Sequence, residues 1–82
     1  MIATAVESTT LAKVAYDATD QVLWLQFHSH AVYCYFGVPV AVYRALIGAA
    51  SMGTYFNRYI RLQFPYQRVV TDGLHSLQTT VR

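Results

Sequence analysis

The sequence predicts an α+β domain, a three-stranded antiparallel β-meander followed by two helices packed on one face, in the order β-β-β-α-α. Three observations predict it. Two short runs of alternating apolar residues, 22–27 and 32–36, flank His28-Ser29-His30-Ala31, a spacing that suits a hairpin. A third run, 11–16, precedes them across the turn-forming Asp17-Ala18-Thr19-Asp20-Gln21. After Pro39 the apolar spacing lengthens from two to between three and four.

Polar Glu7-Ser8-Thr9-Thr10 leads into the first strand, where Val14 and Tyr16 alternate with Lys13 and Ala15. The second strand, Val22-Leu23-Trp24-Leu25-Gln26-Phe27, is rich in residues that suit a pleated, half-buried surface. The third is Val32-Tyr33-Cys34-Tyr35-Phe36. A two- or four-residue loop sets Phe27 opposite Val32, Leu25 opposite Cys34 and Leu23 opposite Phe36, which gathers six apolar side chains on one face. The same register puts Trp24 near Tyr35 and Gln26 near Tyr33 on the other face, whereas a three-residue loop mixes the two sets. The clean sorting favours the even loop.

Pro39 suits the first turn of a helix, having no amide hydrogen to leave unpaired, and helix one is placed to start there. Val42, Tyr43, Leu46, Ile47, Ala49 and Ala50 follow helical spacing, and Gly53 is read as the end or break of that helix. Ser51 caps the short second helix, in which Tyr55, Phe56, Tyr59 and Ile60 cover the core while Asn57, Arg58 and Arg61 face away. Phe64-Pro65-Tyr66 blocks further helix, and 67–70 form a short edge segment. Residues 1–70 thus make one domain, and 71–82 are expected to be a mobile tail.

At 82 residues the chain has room for one domain and a modest core. Hydrophobic residues make up 55% and charged residues 12%, a balance that favours association. Residues 1–40 hold Lys13 against Glu7, Asp17 and Asp20, while 41–82 hold Arg44, Arg58, Arg61, Arg68 and Arg82 against Asp72. The cations of the second half are all arginines, which suits a planar contact to phosphate or carboxylate and equally a solvated helix face. One cysteine, no basic and apolar leader and no apolar run near the ~18 residues of a membrane span lead to the expectation of a soluble cytoplasmic protein.

The residues also resemble a known family. The likeness runs from Ser8-Thr9 through Tyr16-Asp17, Leu23 and Phe27 to Tyr33-Cys34-Tyr35. It continues through Val38-Pro39, Tyr43, Leu46, Ala50-Ser51-Met52-Gly53, Tyr55-Phe56-Asn57, Ile60-Arg61 and Pro65-Tyr66. On these positions the chain resembles the KTSC domain, a short module named after the C-terminus of some lysyl-tRNA synthetases and also found as a stand-alone bacterial protein. The resemblance implies RNA binding by association with a tRNA synthetase, and a glycine in the second hairpin, where this chain has Ser29-His30-Ala31. Aminoacylation needs a catalytic segment that 82 residues do not contain.

Several constellations carry chemistry. Trp24, Tyr33 and Tyr35, with Gln26 among them, suit a platform for unpaired bases; the same rings suit a homodimer or protein-partner interface, or a face covered by helix two. Asn57, Arg58 and Arg61, with Arg44 and Arg68 near, gather phosphate-binding donors. His28 and His30 have a metal-ligand spacing without a third ligand, so they read as a hairpin tip. The four acids lie at strand starts, turns or the tail and form no catalytic pair. The expectation is a non-catalytic module without cofactor or metal, binding RNA or single-stranded nucleic acid by aromatic stacking and arginine–phosphate contacts. The alternative is a protein-interaction or homodimerisation module using Trp24, Tyr33 and Tyr35.

Overall fold

The computed structural model describes residues 3–6 and 8–69. The expected α+β class is present, and the sheet is larger than the meander alone. Five antiparallel strands lie in chain order: β1 (Thr4–Ala5), β2 (Leu11–Asp17), β3 (Val22–Phe27), β4 (Val32–Phe36) and β5 (Tyr66–Val69). β2, β3 and β4 are the three expected strands. The additions are edges: β1 is a two-residue pairing on β2, and β5 returns after the helices to pair with β4. Pro65 immediately precedes β5, where a missing amide hydrogen costs no ladder bond. The tail expected over 71–82 lies outside the described residues.

The β3–β4 hairpin overturns the even-loop register. Phe27 N donates to Ala31 O at 2.9 Å and His30 N to Phe27 O at 2.8 Å, which closes a three-residue loop with His30 left-handed at φ 76°. Leu23 therefore faces Tyr35, Trp24 faces Cys34 and Leu25 faces Tyr33. Cross-strand partners share a face, so Tyr33 and Tyr35 join Leu23, Leu25 and Phe27 on the inner side. Val22, Trp24, Gln26, Val32, Cys34 and Phe36 share the outer side.

β2 keeps its inner set through an irregularity between Leu11 and Lys13, so that Leu11 and Val14 both reach the core. Asp17 closes the next turn, its Oδ1 accepting from Thr19 N at 3.0 Å and Asp20 N at 3.2 Å. Gly37 then takes φ 72° to swing the chain off the sheet, and Val38, fully buried, is fixed by its N–H to Gln21 O and by the Tyr16 hydroxyl donating to its carbonyl at 2.6 Å.

Helix α1 spans Val40–Ile47 with Pro39 as its extended N-cap, so it begins one residue after the expected start. It ends at Gly48 rather than Gly53. Helix α2 (Met52–Tyr55) is capped by Ser51, as expected: Thr54 N donates to Ser51 Oγ at 3.3 Å. Gly53 lies in the first turn of α2, buried against Thr10, and its role is close approach rather than termination. α2 continues without a break into a π-helical turn, Phe56–Ile60, closed by Arg61 N donating to Phe56 O at 2.9 Å. The helices pack on the inner face of the sheet, where Leu46, Met52, Phe56 and Ile60 meet Leu11, Val14, Leu23, Leu25 and Tyr35. None of the described helices is long and apolar enough to cross a membrane.

Candidate functional site

The helices do not cover the whole inner face. Between the β3–β4 hairpin tip, the π-helical turn and β5 lies a cleft of about 420 Å³, within the size range of ligand sites, about 300–1,000 Å³. Strand alternation brings Phe27, Tyr33 and Tyr35 to its floor, and Phe56 closes the floor from the helical side. The rings meet at angles that favour their quadrupoles: Phe27 and Tyr33 edge-on at 5.7 Å, Phe27 and Phe56 at 5.5 Å, Tyr35 and Phe56 at 5.5 Å. This is a rigid base.

β5 supplies the wall. Tyr66 pairs with Tyr35 in register and stacks on it at 5.4 Å with 29° between planes, yet remains 56% exposed. One flank of an exposed ring is thus fixed by a buried ring. Arg68, two residues on and on the same side, holds its guanidinium carbon 6.0 Å from the Tyr33 centroid, a cation–π contact. The π-helical turn and the residue after it add Asn57 and Arg61 to the rim, and the hairpin tip adds Ser29.

The polar groups here are unusual in being unspent. Among the described residues, the side chains of Tyr33, Tyr35, Tyr66, Asn57 and Arg61 make no hydrogen bond within the fold. Among the described residues no buried side-chain polar atom is left unpartnered either, so these groups are open to the cleft or to solvent. Burial pushes the Tyr35 phenol up to about 12, with Tyr66 and Tyr33 adding to the rise and Arg61 opposing it. Tyr35 is a neutral hydroxyl at any ordinary pH. The cleft offers flat apolar rings, hydroxyl and amide groups that donate and accept, and a cation.

Four of the residues singled out from sequence converge here: Tyr33, Tyr35, Asn57 and Arg61. The rest do not. Trp24 and Gln26 point to the outer face, so the common Trp24/Tyr33/Tyr35 surface does not exist. Arg58 is exposed on the π-helical turn but does not line the cleft, and Arg44 sits on α1, which packs on the β2 side where Tyr43 stacks on Tyr16 at 4.7 Å. Sequence reasoning missed Tyr66 as a site residue. Its signal was the alternation Tyr66-Gln67-Arg68-Val69 after a proline, an edge strand with an aromatic and an arginine on one side. At the hairpin tip, the His28 ring engages the backbone, its Nε2 lying 2.7 Å from Ser8 O.

Comparison with known proteins places this architecture. The KTSC domain profile matches residues 7–64. The chain belongs to the KTSC domain family. A crystal structure of a KTSC domain protein from Yersinia pestis superposes with a TM-score of 0.82 at 26% identity, covering 84% of this chain and 97% of that one. An uncharacterized protein of Stutzerimonas stutzeri is 38% identical over 66 residues, 79% of this chain and 93% of that protein. A lysine–tRNA ligase of Nostoc sp. is 38% identical over 63 residues, 77% of this chain. The match with this chain spans only 11% of that ligase.

Proposed function

We propose that this KTSC domain is a non-catalytic module that binds single-stranded RNA in the cleft between β5 and the π-helical turn. The observation that carries the reading is the exposed Tyr66 ring, backed by Tyr35 and flanked by Arg68 and Arg61. An unpaired base has two flat faces, polar edges and a phosphate on either side. The cleft meets each: Tyr66 stacks, Asn57 and the tyrosine hydroxyls bond the base edge, and the arginines hold phosphate. Chance exposure of one tyrosine would not bring the unspent amide, hydroxyls and guanidinium to the same place.

Two further facts support it. None of the described residues lining the cleft is a carboxylate, a histidine or a cysteine, so the commonest general bases and a thiol nucleophile are missing from it. Lysine–tRNA ligases, which by their name act on an RNA, carry a related segment. A cytoplasmic setting fits both, and the buried Cys34 thiol is consistent with reducing conditions.

The test is an NMR titration of the labelled chain with a mixed pool of short single-stranded RNA at low salt. Shifts are expected on Tyr33, Tyr35, Asn57, Arg61, Tyr66 and Arg68, reversed by added salt, with Trp24 and Gln26 silent. Tyr66→Ala should weaken binding by ~1 to 3 kcal/mol, the worth of one stacked base. Absence of shifts, or shifts confined to the Trp24 face, would refute the reading.

A further inference from the structure

We propose that the outer face of the sheet is a homodimer interface, in which two copies stack face to face about a two-fold axis along the row Ala15, Trp24, Cys34 and Gln67. These four residues are successive Cα partners across β2, β3, β4 and β5, so they lie at one level of the sheet. The buried helical residues Leu46, Met52, Phe56 and Ile60 pack in the cluster on the opposite, inner face. Ala15 and Cys34 are 7% and 4% exposed, yet neither belongs to the core cluster on the inner face. Val22, Trp24, Val32 and Phe36 on the same side are half-buried and likewise outside that cluster. An apolar sheet face of this kind in a soluble chain calls for a cover.

The charges on the face select a second copy as that cover. β2 turns Lys13 outward on one side of the row and Asp17 outward on the other. A two-fold along the row reverses strand direction and keeps each strand over its own copy. Lys13 then meets the partner's Asp17, and Asp17 meets the partner's Lys13. The same operation sets Gln26 against the partner's Val22 and Val32 against the partner's Phe36. A depression of about 380 Å³ beside Trp24, lined by Lys13, Gln26 and Val32 among others, is where the partner's Val22 enters. Self-complementarity of charge and relief about one axis is what an isologous interface requires.

The area is adequate for a reversible dimer. Strands ~4.8 Å apart and ~3.3 Å per residue give this face roughly 400 Å² of projection per copy. Side-chain relief adds to it, which brings the pair near the ~1,000 Å² at which specific interfaces begin. Dimerisation leaves both clefts open, because they lie on the opposite side of the sheet, and it is independent of what the clefts bind.

Sedimentation equilibrium on the full chain, with Trp24 emission followed over the same concentrations, tests the proposal. A monomer–dimer equilibrium is expected, with the emission moving to the blue as dimer mass appears. Lys13→Glu and Asp17→Lys should each raise the dissociation constant at least about tenfold by setting like charges opposite each other. An equimolar mixture of the two variants should associate within about threefold of the unaltered chain, since each then presents the charge the other lacks. Circular dichroism screens Asp17→Lys, which loses the turn acceptor, and the mass and emission of the unaltered chain do not depend on that variant folding. A monomer at every concentration would overturn the proposal, whether residues 70–82 or solvent covers the face. So would a dimer whose affinity ignores both charge changes.

Discussion

Gly53 carries a constraint that only its neighbour reveals. A Cβ there would stand 2.5 Å from Thr10 Oγ1 and 3.0 Å from Thr10 Cβ, closer than side chains approach. In an open helix, Gly→Ala gains about 1 kcal/mol of helix propensity; in this contact, overpacking costs ~1 to 3 kcal/mol and wins. Gly53→Ala should therefore lower the urea midpoint, and Thr10→Ala in the same chain should recover part of the loss by removing the nearer atom. His30 gives the opposite sign. It holds φ 76° in the hairpin loop, a region that charges a residue with a Cβ about 1 to 2 kcal/mol. Against that stands the extra unfolded freedom of glycine, ~0.5 to 1 kcal/mol. His30→Gly should stabilise the fold by about 0.5 kcal/mol in equilibrium unfolding, and this is the hairpin where the family resemblance implies glycine.

Among the elements, β4 couples both faces of the sheet. It buries Cys34 outward and Tyr35 inward, at 4% and 3% exposure, and burial raises the thiol from 9.0 to about 11 and the phenol from 10.0 to about 12. Both groups are neutral when protonated, and both hold the proton more tightly folded than unfolded. Their stability contribution is thus complete below about pH 9 and is lost as pH rises through 11 and 12. Urea midpoints should be level up to pH 9 and fall beyond it, and Cys34→Ala should delay the onset of the fall toward pH 10. β4 also marks the boundary of what the sequence disclosed. Its limits, those of β3 and the Ser51 cap depend on local alternation and local hydrogen bonding, and all three were legible. Its register was not, because parity hangs on whether His30 accepts a left-handed conformation, and histidine advertises that far less than glycine does. β5 was only half legible for a different reason: a four-residue edge acquires its meaning from β4, some thirty residues earlier, and no local pattern states that pairing. The cleft inherits both misses, since the hairpin parity delivers Tyr33 and Tyr35 to the inner face and β5 delivers Tyr66.

At the scale of the whole molecule, the sheet separates two kinds of surface, an inner side with helices and a polar aromatic cleft, and an outer side centred on Trp24. Such a division makes the contributions of the two sides separable by salt. Each phosphate neutralised on a single strand contributes about −0.7 to the slope of log affinity against log salt. Arg61 lines the cleft and Arg68 lies over Tyr33, so Arg61→Ala with Arg68→Ala should make the slope shallower by about 1.4, together with a loss of affinity at low salt. Tyr66→Ala removes a stacking surface and no charge, and should lower affinity while leaving the slope as it was. Arg44→Ala, on the β2 side, and Trp24→Ala, on the outer face, should change neither for an RNA short enough to occupy one cleft. Fluorescence anisotropy across a salt series reads all four variants at once. If the slope responds to Arg44 instead of to Arg61 and Arg68, the phosphate path runs over α1 and the cleft is not where RNA lies.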